Sequence, residues 1–212
     1  MHSPKLTTCI LRGFALQVLQ HHSDFQWTHE PGGFMRTCLA PDMVMNVFDA
    51  SLVHEGATLI HTHPLDFTSM ILAGELRHFR HTRYGRAAAP AGAQPYGYQD
   101  FDVEFKGASP AKGCFLVEEP MEVYHAGDTY QVLSHEIHRV GTEDGTITVL
   151  TREYITKPTG STTFWPYVAP GASSPKPPEP PKFDNVGPGP ADPKVVAEVA
   201  MRANERWFCH TR

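Results

Sequence analysis

From Met43 onward, apolar and polar residues alternate with a period of two, the pattern of strands that bury one face. Met43, Met45 and Val47 alternate with Val44 and Asn46. Thr58 to His63 is a second short run, stopped by Pro64. Phe67 to Ala73 is apolar on both faces, as in a fully buried strand, and Gly74 closes it. Phe101, Val103 and Phe105 alternate again, as do Cys114 and Leu116, then Met121 and Val123. Gly127-Asp128 reads as a turn. Tyr130, Val132 and Leu133 lead to His138. Glu143-Asp144-Gly145 reads as a hairpin turn before a strand with Ile147, Val149 and Thr151 on one face. Many short strands at this spacing predict an antiparallel sandwich or barrel.

The flanks follow other rules. Ile10, Phe14, Val18 and Leu19 fit one face of a short helix, and a strand fits almost as well. Residues 85–99, rich in Gly, Ala and Pro, read as a surface insertion. Between Pro158 and Pro193 lie 11 of the 19 prolines, which predicts an extended, stiffened arm. Asp192-Pro193 then offers an N-cap with proline at the first helical position. Val196, Val199, Ala200, Ala203 and Trp207 follow at helical spacing, with Glu198 and Arg202 as an i, i+4 pair on the solvated side. That helix is expected to dock on the barrel or on a second subunit. The chain thus divides into an N-terminal extension (1–42), a β-barrel (43–157), a proline-rich arm (158–193) and a C-terminal amphipathic helix (194–212).

Composition narrows the function classes. The 212 residues are 41% hydrophobic and 19% charged, enough for one real core. A net charge of −5 argues against a nucleic-acid binder, which usually carries a basic domain. No run approaches the roughly 18 apolar residues of a membrane helix. Met1 to Lys5 lacks the pattern of a secretory signal. Cys9, Cys38, Cys114 and Cys209 form no C-x-x-C pair, so neither a thiolate zinc site nor a disulfide framework is expected; the reading is a cytoplasmic protein with reduced thiols. There is no G-x-S-x-G, P-loop or G-x-G-x-x-G.

The 13 histidines invite a search for a metal site. In His61-Thr62-His63, residues i and i+2 of a strand point to one face, where two imidazoles can share one ion. The His138 region supplies a candidate third ligand. These residues resemble the cupin superfamily, whose first motif is G-x5-H-x-H-x(3,4)-E-x6-G and whose second is G-x5-P-x-G-x2-H-x3-N. Gly56, His61, His63 and Gly74 align with the first motif, with one residue fewer after Gly56. Gly127 and His138 align with the second at the family's spacing. Leu133 and His135 stand in place of its Pro and Gly, and Thr142 in place of its Asn. The resemblance spans residues 43–157. His61-Thr62-His63-Pro64-Leu65-Asp66-Phe67, Tyr124 to Tyr130 and Ile137 to Val140 are similar to an H-x-H-P-W-x-F cupin subgroup. The H-x-H-P segment is also similar to three-histidine thiol dioxygenases.

The resemblance implies a small antiparallel β-barrel of double-stranded β-helix (jelly-roll) type and a divalent metal held by His61, His63 and His138. The motif-one glutamate falls at Phe67 or Thr68, which cannot replace it. The set is therefore three histidines alone or three with a displaced Asp66, which otherwise caps the turn after Pro64 or orients a ligand. The implied activity is that of a non-haem Fe(II) dioxygenase acting with O2 on a small thiol or other anionic metabolite, as a homodimer. A Zn, Mn or Ni isomerase, lyase or hydrolase, or a non-catalytic ligand-binding cupin, are the alternatives. His125 and His135 read as surface residues. Arg77, His78, Arg80, His81 and Arg83 read either as a solvated strand face or as the mouth of the barrel. Alternation separates Arg77, Phe79, His81 and Arg83 from His78, Arg80 and Tyr84, so at most one set faces the metal. Arg77, Tyr130 and Arg152 are candidate substrate anchors.

Overall fold

A computed structural model describes residues 4–30, 32–52, 60–102, 107–109, 112–152, 160–166 and 189–208. Helix α1 (Pro4–Gln20) is followed by β1 (Trp27–Glu30), β2 (Phe34–Ala40), β3 (Met43–Phe48), β4 (Ile60–His61), β5 (Phe67–Ala73), β6 (Glu75–Tyr84), β7 (Gln94–Asp102) and β8 (Gly107–Ala108). Then come β9 (Lys112–Glu118), β10 (Glu122–His125), β11 (Thr129–Val132), β12 (Ile137–Thr142), β13 (Ile147–Arg152), β14 (Ser161–Pro166), β15 (Gly189–Pro190) and helix α2 (Pro193–Phe208). One sheet has the order β11-β5-β13-β3-β2-β1-β15 and the other β10-β6-β12-β4-β14-β7-β8. Strand β9 pairs with both β6 and β7, which closes β6, β12, β4, β14, β7 and β9 into a six-stranded antiparallel barrel. The all-β class, the small antiparallel barrel and the C-terminal helix agree with the sequence expectation.

Period-two alternation sorts the side chains into three apolar clusters. Between the two sheets lie Val44, Phe67, Ile71, Leu76, Tyr130, Val132 and Leu150. On the other face of the seven-stranded sheet, Met35, Met45, Val47, Leu72 and Val149 meet both helices. Within the six-stranded barrel are Ile60, Cys114, Leu116 and Phe164. Strand β5 feeds two of these cores: Phe67 and Ile71 point to one, Leu72 to the other. This is the two-sided burial that its unbroken apolar run predicts.

Several expectations need correction. The sheet begins before Met43, because β1 and β2 pair onward to β3 from within the N-terminal extension. Residues 94–99 of the expected surface insertion belong to β7 and pair with β14 and β9. Within the expected arm, Ser161–Pro166 is a barrel strand with Phe164 buried, and Gly189–Pro190 pairs with β1. Residues 158–159 and 167–188 of the arm lie outside the described ones, as do Gly56, Val103, Phe105 and Cys209. The N-terminal helix forms, but its packed stripe is Leu11, Ala15, Val18 and Leu19, while Ile10 and Phe14 are exposed. Both stripes are apolar, and the docked one faces α2 and the sheet.

Helix α2 starts as its sequence requires: the Asp192 carboxylate accepts from the Lys194 N–H at 2.8 Å. It ends with the Trp207 indole N–H donating to the Gly145 carbonyl at 2.7 Å, over the turn between β12 and β13. Arg202 is not confined to a solvated pair with Glu198. It reaches Asp49 at 2.9 and 3.0 Å and so fixes the helix to the end of β3. Gly74 has φ +81°, and a Cβ there would fall 2.5 Å from Thr146 Oγ1, so the tight turn between β5 and β6 requires glycine.

Candidate metal centre

The three expected ligands converge because of pleat and register. His61 and His63 share a face, and His138 on β12 is the direct antiparallel partner of His61 on β4. The short β4 is held beyond His61 by Thr62, whose N–H donates to the Thr162 carbonyl and whose Oγ1 accepts from the Thr162 N–H, both at 2.9 Å. The ring centroids of His61 and His63 are 4.7 Å apart, and those of His61–His138 and His63–His138 are both 4.9 Å apart. Nε2 of His63 lies 2.8 Å from Nε2 of His138, and one nitrogen from each of the three rings falls within 4.8 Å of the others.

This arrangement suits a divalent ion. Two nitrogens bound at right angles, each about 2.1 Å from one cation, stand about 3 Å apart. Burial pushes the imidazoles of His63 and His138 well below the ordinary histidine range, and neighbouring His61 pushes both further. Both rings are therefore neutral at pH 7, as ligands must be. His63 is wedged edge-on against Phe67, with centroids 4.7 Å apart.

A polar layer stands behind His138. Its Nδ1 lies 2.7 Å from Nε2 of His78, a side chain with no solvent exposure on β6. Burial, followed by the nearby Arg80 charge, lowers His78 to about 4. Glu136 Oε1 is 3.4 Å from His78 Nε2 and 3.0 Å from Arg80 Nε, and Arg80 also pairs with Glu122. His78, Glu136 and His138 form a second group able to hold a metal. It would use the other nitrogen of His138, and its carboxylate is already matched by Arg80, so it reads as support for the first.

The triad faces a cavity of about 320 Å³ between the sheets. Across from it, Arg36, Asn46 and Thr148 form a cross-strand row, since Arg36 pairs in register with Asn46 and Asn46 with Thr148. Arg36 Nε donates to Asn46 Oδ1 at 2.9 Å, and Asn46 Nδ2 donates to Thr148 Oγ1 at 3.2 Å. Glu30 lies 3.6 Å from the guanidinium. Phe67, Leu76 and Leu150 supply apolar wall.

The remaining sequence candidates divide. Tyr130 lines the cavity, stacks on Tyr124 at 4.7 Å and is pushed to about 12 by burial, so it is a neutral phenol. Asp66 stands outside the ligand group: its carboxylate accepts from the Ser134 backbone N–H and ties the loop after His63 to the loop before His138. Arg77 is a correction. It points outward, half exposed, with its Nε 2.8 Å from Glu75, because His78 and Arg80 form the set that faces the site. Arg152 is on the cavity face of β13 with Thr148 and Leu150, one step beyond the residues that line it. His125 and His135 are exposed, as expected. Neither Cys38, exposed on β2, nor Cys114, inside the six-stranded barrel, reaches the cavity. Sequence reading missed Arg36, Asn46, Thr148 and Glu136. The polar Asn46 in an otherwise apolar strand was the one visible signal. A scan against protein-family models finds no match, and no curated protein sequence matches the chain.

Proposed function

We propose that the protein is a metal-dependent enzyme of cupin type, a non-haem iron(II) dioxygenase that acts on a small anionic metabolite. The observation that supports this best is the donor set: three imidazoles, two of them held neutral by burial, converge with no carboxylate among them in the described residues. Such a set leaves the full charge of a divalent ion in place and favours anionic ligands. Arg36 adds a second positive charge across the cavity, oriented by Asn46. A cavity of about 320 Å³ stands at the low end of the roughly 300–1,000 Å³ typical of small-molecule sites.

Bound iron would supply the redox chemistry that lets O2 react with an organic substrate. The chain's own part is to hold the substrate anion at Arg36, present the neutral hydroxyl of Tyr130 and exclude bulk water with Phe67, Leu76 and Leu150. A thiol fits the stoichiometry: both oxygen atoms enter the product, the sulfur becomes a sulfinic acid, and no external reductant is consumed.

The test is elemental analysis of protein purified without a metal-binding tag, beside His61→Ala and His138→Ala, followed by O2 uptake with a panel of small thiols and carboxylic acids. Near-stoichiometric iron lost in both variants, with substrate-dependent O2 uptake, is the expected result. Zinc, manganese or nickel lost in the same way, without O2 uptake, would move the assignment to Lewis-acid chemistry. A ligand bound tightly and returned unchanged would make the protein a binding module.

A further inference from the structure

The metal-site reading assigns His138 Nε2 to the ion, and the structure says what must stand on the ring's other side. An imidazole that gives its Nε2 lone pair to a cation carries its one proton on Nδ1. In this fold that N–H has a partner, Nε2 of His78 at 2.7 Å. We infer that His78 is the positioning residue of the site, accepting the His138 Nδ1 proton and thereby fixing both the tautomer and the tilt of the ligand ring. The inference rests on the metal-site proposal and adds the group that makes His138 a competent ligand.

The packing around His78 supports the assignment. On β6 it pairs in register with Val140, two residues along β12 from His138, and its ring meets that of His138 at 90° with centroids 4.8 Å apart. It has no solvent exposure and lies against Tyr130, 5.4 Å away between centroids. The competing arrangement, with Nε2 of His78 donating to Glu136, spans 3.4 Å, too long to match a 2.7 Å contact to His138. Arg80, 3.0 Å from the same Glu136 oxygen, already pairs with that carboxylate as its counter-charge. The accepting role puts the His78 proton on Nδ1, which is buried and has no hydrogen-bond partner among the described residues; the nearest carboxylate oxygen in an ion pair with it, on Glu122, is 3.8 Å off. A buried imidazole that leaves one nitrogen unpartnered while the other contacts a metal ligand is placed for that contact.

Two substitutions separate positioning from packing. His78→Gln carries an amide oxygen to the place of Nε2 and can still accept. His78→Leu fills the space and cannot. The first readout needs no metal: nitrogen-15 imidazole spectra of the metal-free protein should show His138 protonated on Nδ1 in the parent and in His78→Gln, and shifted toward Nε2–H in His78→Leu. The second is competition with a chelator for zinc or cobalt. The Leu variant should bind about 10- to 100-fold more weakly and the Gln variant within about threefold of the parent. If His78→Leu does not fold by circular dichroism, His78→Asn, whose amide is too short to reach His138, takes its place. An Nε2–H tautomer in the parent, or equal metal affinity and an unchanged tautomer in the Leu or Asn variant, would overturn the assignment. A parent that binds no metal would defeat the metal-site reading, while the tautomer spectra still decide the role of His78.

Discussion

The carboxylate of Asp66 accepts a hydrogen bond from the backbone N–H of Ser134, 68 positions further along the chain. That bond joins the loop leaving His63 to the loop entering β12, so two of the three candidate ligands arrive on segments tied to each other. Hydrogen bonds to charged groups contribute about 1.5–3 kcal/mol when buried and less at a half-buried position such as this. Asp66→Ala should therefore cost about 1 kcal/mol in denaturant unfolding and weaken metal binding about tenfold. Direct ligation by Asp66 would instead give a loss on the scale of His61→Ala, so comparing the two variants under one chelator competition separates the roles.

Arg36 makes a different prediction, because it faces the cavity without belonging to the donor set. Burial pulls its guanidinium below the usual arginine value and Glu30 opposes this, yet an arginine stays charged in proteins. Removing that charge with Arg36→Met should leave metal content unchanged and raise the KM for an anionic substrate about 10- to 100-fold. Arg36→Lys should recover only part of the loss, since an ammonium cannot reproduce the fork that bonds Asn46. Unchanged KM in Arg36→Met would remove Arg36 from the substrate site.

The contrast between the histidines and Arg36 shows what one sequence discloses. The spacing i, i+2 puts His61 and His63 on one face whatever the neighbouring strands are. The distance from Gly127 to His138 is likewise a local fact. Arg36 is a matter of register: it reaches the site only because β2 pairs with β3 so that Arg36 meets Asn46, and β3 pairs with β13 so that Asn46 meets Thr148. The charged run of β6 shows the same limit. Alternation sorted Arg77 and His78 onto opposite faces, but only the partner sheet decides which face is inside. For α1, Leu11 and Ile10 are both apolar, and the choice between them is made by α2 and the sheet.

Asp49 and Arg202 predict a pH dependence of stability. Burial raises the Asp49 carboxyl, but hydrogen bonds from Arg202 and Ser51 outweigh it, and the net position is below the ordinary carboxylate value. A depressed folded-state pKa gives stability that is fully present above the unfolded value of about 3.9 and lost as pH falls through the folded value. Arg202 is 40% exposed, so solvent screens the pair and the contribution is about 1 kcal/mol rather than that of a fully buried bridge. Asp49→Asn should thus lower unfolding free energy by a constant amount between about pH 5 and pH 8, with parent and variant converging below about pH 4. A gap that does not narrow as pH falls below about 4 would assign the loss to packing instead.

Cys114 tests whether the six-stranded barrel is closed as described. Its thiol lies among Ile60, Leu116 and Phe164, and burial pushes it up to about 11. The thiolate is the reactive form, so at pH 8 Cys114 is both shielded and protonated. Cys9 and Cys38 are exposed. Brief iodoacetamide treatment of the native protein, read by peptide mass spectrometry, should modify Cys9 and Cys38 and spare Cys114 until denaturant is added. Early labelling of Cys114 would mean that the pairings of β9 with β6 and β7 open readily.

Metal binding should itself stabilise the fold, because the three histidines converge only when β4 and β12 are paired. A ligand that binds the folded chain alone adds RT ln(1 + [L]/Kd), about 2.7 kcal/mol at a concentration 100 times Kd. Zinc at that excess should raise the melting temperature of the parent by several degrees. His138→Ala should show almost no rise, and His125→Ala, which removes an exposed histidine away from the site, should show the full one. Strand β4 is only two residues long, so the gain should be concentrated there. Amide exchange at Ile60, His61 and Thr62 should slow more on zinc addition than exchange at Val149 on the far side of the core. Equal slowing throughout would mean that the ion acts on global stability alone, and no slowing at β4 would place it somewhere other than this triad.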